Sequence, residues 1–191
     1  MQNLVPDGEW AMAAILGLED AVVEEVCQNI TEGFVVPANF NCPGQVAISG
    51  DKKGVQIAME KLKEAGAKRC LELKTAGPFH TVKLQKASEE LRKELENIEI
   101  KNPTIEVIKN MDAKPYSEKE NRKDILAKHV IHPVRFSDSI QYMINQGVDT
   151  FVEIGPGKVL TGFVKKIDKN LNCININNVE TLENAIQILK E

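Results

Sequence analysis

Phe34-Val35-Val36-Pro37-Ala38-Asn39-Phe40-Asn41-Cys42-Pro43-Gly44-Gln45-Val46-Ala47-Ile48-Ser49 decides how the first part of this chain folds. Residues 34–40 and 46–49 are two short β-rich runs, and Pro43-Gly44 between them is a turn signal that folds one back on the other. A helical run lies on each side. Residues 18–30 set Val22, Val23, Val26 and Ile30 at helical spacing, and residues 52–65 set Val55, Ala58, Met59 and Leu62 on one face. Further out, residues 11–16 form a short apolar run closed by Gly17, and residues 70–73 a closing strand. The order is β-α-β-β-α-β, the split arrangement of a ferredoxin-like subdomain with both helices on one face of an antiparallel sheet, expected over residues 9–75.

After residue 75 the rhythm changes. The spacing of Leu84, Ala87, Leu91, Leu95 and Ile98 predicts one long amphipathic helix over residues 82–98, followed by a strand over 105–108. Helices over 119–131 and 136–146 flank a break at His132-Pro133. A strand over 150–154, the turn Gly155-Pro156-Gly157, a helix over 158–167, a strand over 173–176 and a helix over 179–189 complete the chain. Such alternation implies a mostly parallel, helix-covered sheet, so residues 76–191 are expected to be the C-terminal part of a larger α/β domain. Three strands are few for that many helices, which predicts an apolar edge left uncovered. Residues 1–8, with the turn Pro6-Asp7-Gly8, are expected to connect to further sequence upstream.

Composition narrows the functional classes. The chain has 191 residues, 42% hydrophobic and 27% charged, and a net charge of -4, enough apolar content for a core and no basic field to draw nucleic acid or an anionic membrane. Cys27, Cys42, Cys70 and Cys173 are far apart and form no C-x-x-C pair, which argues against a disulfide framework or zinc site and for a reducing compartment. No apolar run is long enough to span a bilayer and the N-terminus lacks the pattern of a signal peptide, so a soluble, cytoplasmic protein is expected.

The run Gly77-Pro78-Phe79-His80-Thr81 holds a histidine between a strand end and a helix start, where a scaffold presents functional groups and where an imidazole can move protons at neutral pH. A structural histidine is the plainer reading of the loop alone. His129 and His132 stand three apart, a spacing that suits a shared metal, but no acidic third ligand accompanies them, and a helix end before Pro133 explains them better. Gly155-Pro156-Gly157-Lys158 offers helix-terminal amides and a lysine to a phosphate, yet lacks the Walker spacing, and a tight turn is the simpler account. Asn39 and Asn41 alternate in sequence and so share a strand face, available either to an extended polar ligand or to turn capping. Lys61, Lys63, Lys68, Arg69 and Lys74 read as a solvated face or as a docking patch for an acidic partner.

Taken together, Ala11-Met12-Ala13-Ala14-Ile15, the Asn39 to Val46 stretch, Ala65-Gly66-Ala67-Lys68-Arg69, Pro78-Phe79-His80, His132-Pro133-Val134-Arg135-Phe136 and Glu153-Ile154-Gly155-Pro156-Gly157-Lys158-Val159-Leu160 resemble, in order and along almost the whole chain, the malonyl-CoA:acyl carrier protein transacylases of fatty acid synthesis and the acyltransferase domains of polyketide synthases. The resemblance implies a hydrolase-like α/β domain with an inserted ferredoxin-like subdomain. It implies transfer of a malonyl group from coenzyme A to the phosphopantetheine thiol of acyl carrier protein through an acyl-serine, with His80 as catalytic base and the main-chain carbonyl at His129 orienting it. Phe79 then corresponds to a bulky ring that favours malonyl over branched units, and Asn39 and Asn41 face the cleft near the acyl or pantetheine arm; Leu84 departs from the methionine common in the family. The family's serine elbow, its glutamine-rich oxyanion loop and its carboxylate-gripping arginine have no counterpart here, and Ser49 lacks the elbow context. The expectation is therefore a C-terminal portion that carries the base and not the nucleophile, inactive alone, with the serine-bearing part as a further partner. No metal and no resident cofactor is implied, malonyl-CoA being a substrate. A different class of protein, a non-catalytic module that binds carrier protein or a small ligand, is the alternative.

Overall fold

The computed structural model describes residues 2–75 and 77–190. The chain is an α/β protein that divides into two compact units, Met1–Ser139 and Ile140–Glu191. The first contains β1 (Trp10–Leu16), α1 (Asp20–Gln28), β2 (Val35–Cys42), β3 (Gln45–Asp51), α2 (Lys52–Glu64), β4 (Arg69–Glu72), α3 (Gln85–Glu94), α4 (Arg122–Lys128) and β5 (Val134–Arg135). α5 (Phe136–Asn145) crosses the division, and the second unit holds β6 (Thr150–Ile154), α6 (Val159–Ile167), β7 (Asn172–Ile176) and α7 (Val179–Ile188).

Five strands of the first unit form one mixed sheet in the order β4-β1-β3-β2-β5, antiparallel except that β5 runs parallel to β2. The alternation of the strand sequences explains its two faces. Ala11, Ala13 and Ile15 of β1 and Val46 and Ile48 of β3 point toward Val23 and Cys27 of α1 and Val55, Ala58 and Leu62 of α2, making the main core. Met12, Ala38 and Ala47 face the opposite way, against Leu73 and Phe79. Leu62 and Ile48 are 0% exposed, so truncating either to alanine removes packing worth about 2–5 kcal/mol.

Two devices fix the β2–β3 hairpin and its junction with α2. Gly44, at φ 70°, closes the β2–β3 hairpin in a backbone region that glycine enters without strain. The Asp51 carboxylate caps α2 by accepting from the Gly54 amide at 2.6 Å, and its other oxygen accepts from the Phe34 amide at 2.6 Å. The start of β2 and the end of β3 approach so closely here that a Cβ at Gly50 would lie 1.9 Å from the Phe34 oxygen.

Several local expectations are corrected. Residues 105–108 are not a strand: Ile105 is 78% exposed, and only a single bridge, Ile108 to Pro115, closes a hairpin-like loop there. A run of four residues, three of them apolar, with no neighbouring strand to pair with does not propagate a ladder. The helix expected over 82–98 is α3 flanked by 3-10 turns, Val82–Leu84 and Leu95–Asn97. α4 begins late because the Asn121 side chain accepts from the Lys123 and Asp124 amides and sets the N-cap. By compactness the chain divides at 139/140, and β5 joins the first sheet through Asn39↔Val134 and Phe40↔Arg135.

In the second unit β6 and β7 pair in parallel through Thr150↔Asn172 to Ile154↔Ile176. Val152 and Ile154, on one face of β6, are 38% and 79% exposed, and Leu182, Ile186 and Ile188 of α7 are exposed as well. No helix among the described residues is long and apolar enough to cross a membrane.

Candidate active site

A groove of about 370 Å³ opens in the first unit beside His80. β2 contributes Val36, Pro37 and Phe40 to its wall, and the link from α4 to β5 contributes Ile131, His132, Pro133 and Arg135.

The loop that carries His80 is held from both sides. Gly77 and Pro78 are buried, and a Cβ at Gly77 would come within 3.0 Å of a Val5 methyl. Thr81 is 1% exposed, donates its hydroxyl proton to the Pro78 carbonyl at 2.8 Å and accepts from the Lys83 amide at 3.2 Å. Between these anchors His80 has φ 60°, a left-handed backbone that a side chain adopts only against a strain of about 1–2 kcal/mol. Such strain persists where the surroundings over-determine it, and it gathers at functional positions.

The ring is oriented by the main chain. His80 Nδ1 lies 3.2 Å from the His129 carbonyl oxygen and 3.2 Å from the His132 carbonyl oxygen. A carbonyl oxygen only accepts, so Nδ1 must carry the proton and share it between the two, and Nε2 is left with its lone pair. The acceptors exist because α4 ends here. His129 is its C-cap, and Pro133, four residues on, has no amide proton to offer the His129 carbonyl, so terminal carbonyls are left without helical partners. The His132 ring is committed elsewhere, its Nδ1 donating to the Lys128 carbonyl at 2.8 Å.

The remaining candidates fall in different places. The His129 ring is half-buried, and its Nε2 has no hydrogen-bond partner among the described residues. Burial lowers its pKa below the ordinary histidine value, with Asp112 pulling the other way. Phe79 packs into two apolar clusters, against Met12, Ala38 and Ala47 on one side and against Leu84, Ala87 and Val130 on the other. Asn39 sits between Ala47 on β3 and Val134 on β5, whereas Asn41 falls in an irregular step between Phe40 and Cys42, so strict alternation does not govern the pair. Phe79, Asn39 and Asn41 are not among the groove-lining residues, and Ser49 is 0% exposed.

The glycine turn before α6 is already served by a carboxylate. Glu153 accepts from the Leu160 amide at 3.1 Å and from the Thr161 amide at 2.8 Å, filling the place that a bound phosphate would take. Sequence reading missed Arg135 at the groove. Its guanidinium lies 4.9 Å from the centre of the Phe40 ring, 3.1 Å from Asp138 and 3.9 Å from Glu24. No local pattern announces it, since the contact depends on β5 pairing with β2.

Residues 1–183 match the family described as acyl transferase domain. The chain is 47% identical over 193 residues to the malonyl CoA-acyl carrier protein transacylase of Bacillus subtilis (strain 168), covering 100% of this chain and 61% of that protein. Among solved structures it superimposes with a TM-score of 0.94 and 40% identity on the malonyl CoA-acyl carrier protein transacylase from Clostridium perfringens, covering 100% of this chain and 60% of that one. A complex of a type II polyketide acyl carrier protein with its malonyl-transacylase matches at a TM-score of 0.92 and 36% identity, covering 98% and 61%. The chain thus spans about three fifths of the length of these relatives.

Proposed function

Because this chain belongs to the acyl transferase family, we propose that it supplies the proton-transfer half of a malonyl-CoA:acyl carrier protein transacylase site. His80 is the base of this reading. Its Nε2 takes the proton of a serine hydroxyl as that oxygen attacks the malonyl thioester carbonyl, and returns it to the sulfur of coenzyme A as the thiolate departs. The same nitrogen then takes the proton of the phosphopantetheine thiol of acyl carrier protein, whose sulfur displaces the acyl group from the serine, and the serine oxygen recovers a proton. Malonyl-CoA is consumed as a substrate, so the chemistry calls for no resident cofactor.

The observation that carries this reading is the pair of carbonyls at Nδ1, which fixes the tautomer a base needs and aims the opposite nitrogen without any charged side chain. No serine of this chain lies in a G-H-S-x-G context, so the nucleophile is assigned to the portion of the relatives that the chain does not span. We read β1 to β4 with α1 and α2 as the ferredoxin-like subdomain, on the strength of the strand order β4-β1-β3-β2 and the single core that both helices share. The rest is assigned to the hydrolase-like part, and Asn39, Asn41 and Phe79 to the walls of the acyl and pantetheine path. A cytoplasmic location follows from use of coenzyme A thioesters.

Transfer of radiolabelled malonyl groups to carrier protein tests the proposal. The 191-residue chain alone should give none, and addition of a segment bearing the family's serine elbow should restore it. Replacing His80 by alanine in the restored system should lower the rate by about 10²–10⁴-fold. Transfer by the chain alone, or restored transfer indifferent to His80, would overturn the assignment.

A further inference from the structure

We propose that Lys109 is a positioning residue for His80: its buried ammonium clamps the 107–116 loop, and through that loop holds the chain segment whose two carbonyls aim the imidazole. This rests on the reading of His80 as the base.

Lys109 is only 4% exposed, rare for a lysine and tolerable only with charged partners. Two carboxylates meet it: Glu120 Oε1 accepts from Nζ at 2.6 Å, and Asp112 Oδ2 lies 3.2 Å away. Its ammonium also stands 5.9 Å from the centre of the Tyr116 ring. Burial alone would lower its pKa; the bonds to Glu120 and Asp112 outweigh that and leave the net shift upward.

Around this ion triad the loop closes on itself. The Lys109 amide donates to the Lys114 carbonyl at 2.8 Å, the Ala113 amide to the Lys109 carbonyl at 3.0 Å, and the Tyr116 amide to the Val107 carbonyl at 3.0 Å. Ala113 takes φ 55° to make the turn. The other Glu120 oxygen accepts from the Ser117 amide at 2.7 Å, which ties the loop to the start of α4.

One bond links the loop to the groove. The Arg135 amide donates to the Asn110 carbonyl at 2.7 Å, so the residue next to Lys109 fixes β5. β5 begins two residues after His132, with only Pro133 between. The 129–132 segment is therefore pinned at both ends, by α4 on one side and by the loop-held β5 on the other. Loosening the loop frees one end and lets the two carbonyls drift from Nδ1, and a displacement of about 1 Å is enough to degrade a catalytic geometry.

The experiment reads the ring itself, using the full chain labelled with ¹⁵N and long-range nitrogen–proton correlation of the histidine side chains at a pH where His80 is neutral. The parent chain should show His80 protonated at Nδ1. In Lys109→Met the population protonated at Nε2 should rise about threefold or more, with a smaller rise in Glu120→Gln. Lys114→Met, at the exposed corner of the same loop, should leave the ring signals in place. A merely structural lysine would lower stability without moving the tautomer. An unmoved His80 signature in Lys109→Met, with a native amide spectrum, would overturn the proposal; should that variant not fold, an unmoved signature in Glu120→Gln would do the same. This readout needs no turnover, so its failure is separate from a failure of the transfer assay.

Discussion

His80 is held in a left-handed backbone, and that makes a measurable claim about two replacements at one position. Alanine keeps the strain of about 1–2 kcal/mol, whereas glycine relieves it. Glycine in turn gives the unfolded chain more freedom, about 0.4–1 kcal/mol in the opposite direction. Both variants lose the proton that Nδ1 shares between the His129 and His132 carbonyls, a net contribution of about 1 kcal/mol. His80→Gly should therefore be close to the parent in stability, and His80→Ala lower than His80→Gly by roughly 0.5–1 kcal/mol. Trp10 is the single tryptophan, lies in β1 and donates its ring proton to the Pro6 carbonyl at 2.8 Å, so its fluorescence follows unfolding of the first unit. With a urea slope of about 1–3 kcal/mol/M, the two midpoints should differ by roughly 0.2–1 M. Equal midpoints, or an alanine variant more stable than the glycine one, would show that the backbone at His80 is not strained.

Two further outcomes can be checked with simple chemistry. Burial, assisted by Glu24, pushes the Cys27 thiol up to about 12, so at pH 8 its thiolate fraction is about 10⁻⁴; iodoacetamide should label Cys27 only after urea is added, and prompt labelling of the native chain at Cys27 would contradict the packing of α1. Burial also holds the His129 pKa below its unfolded value. A histidine kept neutral on folding contributes stability that is complete above about pH 6.5 and is lost as the pH falls through the lowered folded value. The urea midpoint of the first unit should thus fall between pH 7.5 and 5.5, and His129→Gln, which keeps the main-chain carbonyl, should flatten that fall; an unchanged slope in the variant would refute it.

How much of this was legible in the sequence depended on whether the governing interaction was local. The β2–β3 hairpin was legible because Pro43-Gly44 is a turn signal carried by the residues themselves, and α1 and α2 because helical periodicity needs only neighbours. Residues 105–108 misled because apolar content was read without the partner strand that a ladder requires. The steps at Ala38 and Asn41 broke the alternation on which the pairing of Asn39 with Asn41 depended, and nothing in the side chains announces them. The groove was harder still. Arg135 reaches it because β5 joins β2, the His132 carbonyl joins at Nδ1 the His129 carbonyl that only the family resemblance implied, and the role of Glu153 emerges only when β6 and the start of α6 are set side by side.

The separation along the chain between the His80 ring and the atoms that steady it has a consequence for biosynthesis. The two oxygens belong to residues 49 and 52 positions further on. A ribosome adding roughly 5–20 residues each second exposes the imidazole several seconds before either oxygen leaves the exit tunnel. The ring spends that interval as an ordinary unaligned histidine, and the same delay applies to the closure of β5 onto β2. Alignment of the imidazole therefore waits for the last strand to join the first sheet.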